Sequence, residues 1–221
     1  MTRFIEFIIS AYPFFTLAAS LVLLFAILVT GLTYRGSKGQ RYSILNHFIS
    51  ELGEVGVSRL ALVFNTAMVL AGILFLPLMV GLGMQLHSVW GYLGMAAGLV
   101  AGVACVFVGV FPMNNIKPHA TAAMTYFRSG LLTVLLFSIA VLAQPTGGRV
   151  IPLSISFIGF LTMVTYAVFL VIVAPPRKQD HPAGESLEVN AKKPRPRFWK
   201  VPFWEWLVFL STILWFSAMI F

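Results

Sequence analysis

The segment YPFFTLAASLVLLFAILVTGLTY, Tyr12 to Tyr34, runs for 23 residues without a charged side chain. At 1.5 Å per residue an α-helix of that length covers about 35 Å, enough to cross the ~30 Å hydrocarbon core of a bilayer. A cleaved signal peptide needs a shorter apolar core and a small-residue cleavage site beyond it. Here the polar run Arg35, Gly36, Ser37, Lys38 follows instead. The segment reads as an uncleaved transmembrane span, and it sets the fold class.

Further blocks of the same kind follow. They predict spans at about 59–84, 89–111, 119–143, 150–174 and 202–221, giving an all-α polytopic bundle of about six spans in a single transmembrane domain. The blocks are continuous rather than alternating, which argues against a β-barrel. Composition agrees: 59% of the 221 residues are hydrophobic and 10% are charged, with a mean hydropathy of +0.91. No water-soluble fold of this size hides so much apolar surface. Pro77 is expected to kink the second span. Gly94, Gly98 and Gly102 form a stripe that lets helices approach closely, which marks the third span as the most enclosed. Cys105, the single cysteine, cannot form an internal disulfide and reads as a packing residue.

The net charge is +8. Nearly all the basic residues fall in loops, so topology and anionic lipid explain them better than nucleic acid does. Loops one, three and five hold Arg35, Lys38, Arg41, Lys117 and seven Lys/Arg between residues 175 and 201, with Arg59 at the edge of the first. The opposite side holds Arg3 and Arg149. The positive-inside rule then predicts that those three loops are cytoplasmic and both termini outside. Residues 175–201 also carry three acids and several prolines, and read as a flexible basic linker. Glu6 and Glu205 are expected in water near span ends. Aromatics at Phe198, Trp199, Phe203, Trp204 and Trp206 suit a headgroup-level anchor.

The polar chemistry concentrates in two places. Residues 42–53 place Ser43, Asn46, His47, Ser50 and Glu51 at helical spacing opposite Ile44, Leu45, Phe48, Ile49 and Leu52. That pattern predicts a short amphipathic helix, interfacial or re-entrant, ended by Gly53. The turn FPMNNIKPH, Phe111 to His119, gathers Asn114, Asn115, Lys117 and His119 on the same membrane face. His47 and Glu51 lie four residues apart, and His119 adds a third ligand to a workable zinc set with an open position. Arg128 lies about nine residues into the fourth span and is expected to snorkel, to pair with Glu51 or Glu54, or to bind a lipid phosphate. Asn65 is expected to make helix-to-helix hydrogen bonds.

The runs HFISELGEVG from His47, RLALVFNTAMVLAGILF from Arg59 and GVFPMNNIKPHATAAMTYF from Gly109 resemble the prokaryotic membrane family called domain of unknown function 998. The matching features are Ile49 to Gly53, Asn65, and Phe111, Pro112 and His119. The resemblance covers about residues 10–175; it implies a prokaryotic inner-membrane location and no activity. A fainter similarity to DRAM/Sfk-type membrane proteins implies lipid remodelling, and places the first loop on the non-cytoplasmic side, against the charge count.

Three functions compete at this stage. The first is a non-enzymatic protein that binds or organises lipid, with anionic headgroups as partners and a pocket built from Asn46, His47, Glu51, Asn114, His119 and Arg128. The second is a metal-dependent lipid hydrolase or transferase, with a zinc-bound water as nucleophile and His47, Glu51 and His119 as ligands. The third is a small-solute carrier, disfavoured by sparse intramembrane charge. An accessory subunit of a membrane complex, or a homo-oligomer, would use the glycine stripe and the aromatic belt for docking.

Overall fold

Hydrocarbon offers backbone N–H and C=O groups no partner, so a chain this apolar closes its hydrogen bonds within helices or in a closed barrel. The computed structural model describes residues 2–174 and 195–220, and among those residues it contains six α-helices and no strand. All six are long and apolar enough to cross a membrane. The chain is a multi-pass helical membrane protein.

Helix α1 spans Thr2–Thr33, α2 Ala61–Gln85, α3 Val89–Val110, α4 Ile116–Leu142, α5 Ile155–Val173 and α6 Lys200–Ala218. Two starts differ instructively from the sequence expectation. Helix α1 begins some ten residues early and runs through Pro13, because Ile8, Ala11 and Tyr12 are buried and extend the packed face toward the N-terminus. Helix α5 begins about five residues late. Its would-be first turn is claimed by Gln144, whose Oε1 accepts from the Val150 and Ile151 amides at 2.9 and 3.1 Å. The Gln144 Nε2 donates to Val141 O and Ile151 O. One buried side chain thus replaces helix-type bonds there.

Each helix packs on its sequence neighbours and α6 returns to α1, but α1 touches α6 far less than it touches α2. The glycine stripe works as a close-approach surface. Gly94 faces the Phe137 ring, Gly98 sits between Met79 and Thr133, and Gly102 lies against Leu76. Helix α3 is nevertheless not the most enclosed: half of the apolar window of α4 is buried, against 39% for α3. Helix α4 also carries a ladder of hydroxyls bonded one turn back, with Ser129 donating to Thr125 O and Thr133 to Ser129 O. Such bonds hide polar groups within the helix and let it sit inside the bundle.

Two apolar clusters result. The larger joins Leu78, Met79, Leu82, Phe137, Tyr166 and Trp215. The smaller, at the opposite end, joins Ile27, Tyr34, Ile49, Leu52, Phe64 and Trp206. It closes the bundle mouth where residues 34–60 enter.

A substitution at the α2–α3 contact tests this packing. A Cβ on Gly72 would stand 2.8 Å from the Val106 amide nitrogen and 2.9 Å from Gly102 O. Gly72→Ala is expected to cost roughly 1–3 kcal/mol of stability, read as a lower Tm in detergent. Gly148→Ala, whose new Cβ would meet only Pro145 at 3.8 Å, is the control and should leave Tm unchanged.

Candidate functional site

The segment after α1 is not the continuous amphipathic helix that its polar spacing suggests. Residues 43–47 form one turn, with His47 N bonded to Ser43 O at 2.9 Å. Phe48 is extended, and Ile49–Gly53 form a 3₁₀ helix. The break at Phe48 has a clear cause. Its amide is taken by the Glu51 side chain at 2.9 Å rather than by a carbonyl one turn back. The 3₁₀ turn then lies against the start of α2, with Asn65 Nδ2 donating to Gly53 O at 2.9 Å. A Cβ at residue 53 would collide with the Asn65 side chain and stand 2.8 Å from Phe64, so this close approach requires glycine.

Glu51 is the hub. Its Oε1 accepts from Phe48 N and from Arg195 Nη1 at 2.9 Å, and its Oε2 lies 3.5 Å from the Tyr34 hydroxyl. This is the one ion pair among the described residues. Arg195 Nη1 also donates to Asn46 O at 2.8 Å, Asn46 Nδ2 donates to Pro196 O at 2.9 Å, and Trp199 N donates to Leu45 O at 2.8 Å. The end of the predicted linker is therefore stitched onto the first loop. Residues 175–194 of that linker lie outside the described residues.

His47 sits behind this hub between two tyrosines, its ring 5.5 Å from that of Tyr34 and 5.3 Å from that of Tyr42. The Ser43 amide donates to Nδ1 at 3.3 Å, which puts the proton of the neutral ring on Nε2. That buried Nε2 has no hydrogen-bond partner among the described residues. Burial pushes the His47 pKa below its ordinary 6.5; Glu51 opposes the shift and Arg195 reinforces it. Burial, with help from Glu51 and Glu54, pushes the Tyr34 phenol up to about 12. Tyr42 is raised further, by burial and then Glu205. Glu54 is raised by burial and by Glu51.

Beneath this roof lies Glu205. It was expected in water, yet it is 8% exposed, and its Oε2 accepts from Ile49 N at 2.8 Å. It lines a cavity of about 70 Å³ together with Ser50, His119, Cys105 and Tyr126. His119 Nδ1 donates to Phe111 O at 2.7 Å, since a carbonyl can only accept. This leaves Nε2 as a bare acceptor. A second cavity of about 50 Å³, lined by no charged side chain, shares Leu23, Cys105, Tyr126 and Phe209 as walls and runs between α1 and α6 toward Thr16 and Phe216. Along α6, Glu205 to Phe216 is about 16 Å, half the hydrocarbon thickness.

The residues singled out from sequence therefore separate. Asn46, His47 and Glu51 belong to the roof, and Ser50 and His119 to the cavity. Asn65 and Asn114 act as clamps: Asn65 holds the loop rather than a neighbouring helix, and Asn114 pairs with both Val55 N and Val55 O at 2.8 and 2.9 Å. Asn115 is exposed at the start of α4 with no capping bond. Arg128 is exposed and pairs with neither Glu51 nor Glu54; Glu51 takes Arg195 instead. His47, Glu51 and His119 do not converge, and no three His, Cys, Asp or Glu side chains among the described residues form a metal-binding group. His119 Nδ1 bonds to Phe111 O in the α3–α4 turn, and Glu51 pairs with Arg195. Sequence reading missed Tyr34, Tyr42, Arg195 and Glu205. Only Glu205 left a signal, as an acid flanked by VPFW and WLVF.

Two outcomes follow from the hub. Arg195→Ala should release residues 195–199, seen as faster amide hydrogen exchange at Trp199 and through residues 45–51; unchanged exchange would show the pair to be idle. The pH dependence has a definite sign. With a closed-loop pKa below 6.5, His47 takes up a proton when the loop opens, so closure weakens as pH falls through about 6.5. His47→Gln should flatten that dependence in the exchange rates of residues 46–54, after correction for intrinsic exchange.

Comparison with known proteins returns one family. No curated protein and no solved structure matches the chain. The model of the family described as "Protein of unknown function (DUF998)" matches residues 17–220, which takes in all of the roof and, Thr16 apart, the lining of both cavities. The chain belongs to the DUF998 family.

Proposed function

We propose that this membrane protein binds a lipid, with the polar head at Glu205, His119 and Ser50 and the chain along the α1–α6 seam. The observation that supports it is a pair of adjoining, mostly apolar cavities, of which the one under the roof alone is walled by Glu205, His119 and Ser50. Acceptor groups gather under the roof, and apolar walls lead to the least packed seam of the ring. Mostly apolar walls with a few convergent polar groups are the usual lining of a small-molecule site, and cavities of about 70 and 50 Å³ must widen along the seam to take a lipid chain.

The chemistry of the head is constrained. Glu205 lines the polar end, Glu51 and Glu54 belong to the roof, and the described cation beside them, Arg195, is already paired with Glu51. An acidic, acceptor-rich end favours a head that donates hydrogen bonds, a hydroxyl or an amine, over a phosphate. Anionic lipid is left to the outer rim, where Arg35, Lys38, Arg41, Arg59, Lys117, Arg197 and Lys200 lie at the roof end. Each basic residue near an anionic surface contributes about 1 kcal/mol of attraction. In this reading the roof faces the cytoplasm of a prokaryotic cell, by the positive-inside rule.

The test is lipid extraction and mass spectrometry of the purified protein, comparing wild type with Glu205→Ala and Ala19→Phe. Ala19 lines the apolar cavity, and the larger ring fills it. Wild type is expected to carry a hydroxyl- or amine-bearing lipid, reduced about tenfold in both variants, equivalent to ~1.4 kcal/mol, while both elute as folded protein. A lipid complement unchanged in Ala19→Phe would end this reading.

A further inference from the structure

Arg128 is an exposed cation on a helix that crosses the membrane, and it takes no part in the roof or the cavities. Its depth can be read from the register of α3 on α4. Gly98 packs against Thr133 and Gly94 against Phe137, so Arg128 lies level with about Val103. That is roughly 5 Å from the midpoint of α3, leaving roughly 10 Å to the headgroup boundary. The distance exceeds the reach of an arginine stem. Among the described residues it has no ionic or hydrogen-bond partner.

The surface beside it is shaped. Val100, Val103 and Phe107 of α3, with Pro118, Thr121 and Thr125 of α4, line an open apolar groove of about 750 Å³. Thr121, Thr125 and Arg128 follow at intervals of four and three residues, so they share one face of α4. The threonine hydroxyls donate within the helix, to Lys117 O and Thr121 O, and neither is bonded to Arg128. The groove lining carries no acidic side chain to balance Arg128.

We infer that this groove receives a transmembrane helix of another protein that carries an aspartate or glutamate near mid-depth, and that this carboxylate pairs with Arg128. Charged side chains within the membrane persist where they pair, and the guanidinium fork matches a carboxylate. Among the described residues, no carboxylate of a second copy is placed at that depth on an exposed helix face: Glu51 and Glu205 are buried, Glu54 lies in the loop between α1 and α2, and Glu6 lies near the far end of α1.

The test uses the full chain in phosphatidylcholine vesicles at a mildly alkaline pH. Energy transfer is measured to a labelled synthetic Leu/Ala transmembrane helix with one central Glu, and to the same helix with Gln or Lys. The Glu helix is expected to associate about tenfold more tightly than the Gln helix, and the difference should vanish in Arg128→Leu. Arg128→Glu should instead select the Lys helix. A double variant, Arg128→Leu with Val164→Arg, moves the cation to an exposed mid-depth position on α5 and should not recover binding. Equal association of the Glu and Gln helices would overturn the inference. So would recovery in the relocated variant, which would make the groove irrelevant. Tightly bound phospholipid lost on Arg128→Leu would assign the cation to a lipid phosphate instead, and would also overturn it.

Discussion

Backbone polar groups near hydrocarbon must find partners inside the protein, and the mouth of this bundle is where that demand is hardest to meet. Between Thr33 and Ala61 the chain is irregular and yet packed against α1, α2 and α6. The Glu51 carboxylate resolves the problem locally. It satisfies the Phe48 amide, holds Arg195 and approaches the Tyr34 hydroxyl. Asn65, Asn114 and Glu205 each take one further set of loop groups. Remove the carboxylate and several separate pieces of chain lose their common point.

That arrangement places charge and apolar space close together. Glu205 supports the roof through Ile49 N and at the same time forms part of the cavity wall below. A ligand that engaged this carboxyl would therefore be felt by the 3₁₀ turn. The seam between α1 and α6 is where the ring of helices is packed most thinly. The polar roof is closed by comparison, sealed by Trp199, Trp206 and Tyr42, with Trp206 Nε1 donating to the Tyr42 hydroxyl at 3.2 Å.

The six spans were legible because length and continuous hydropathy are one-dimensional properties. Helix ends were less so, since side chains such as Gln144 take over backbone bonds in ways that no periodicity records. The 42–53 segment shows the limit clearly. Its polar residues do recur at helical spacing, but Glu51 bonding back to Phe48 breaks the helix. The cluster of Asn46, His47, Ser50 and Glu51 was visible as a concentration of polar types in an apolar chain. Its partner Arg195 was not, being 144 residues away along the sequence within a stretch that composition marks as linker. Arg128 was visible as an anomaly of type, and only the packing of α3 on α4 shows that it faces outward.

The stitching of residues 195–199 onto the first loop also bears on how the last helix is positioned. Three hydrogen bonds and an ion pair fix the chain just before α6 enters. The register of α6 is then set at its threshold, not by the length of the chain leading to it. Closing a longer connection costs only a logarithm of its length, about 0.6 kcal/mol for each doubling. Insertions and deletions between residues 175 and 194 are thus decoupled from the depth of Glu205, so this connection can diverge in length and sequence while the carboxyl stays at one height in the membrane.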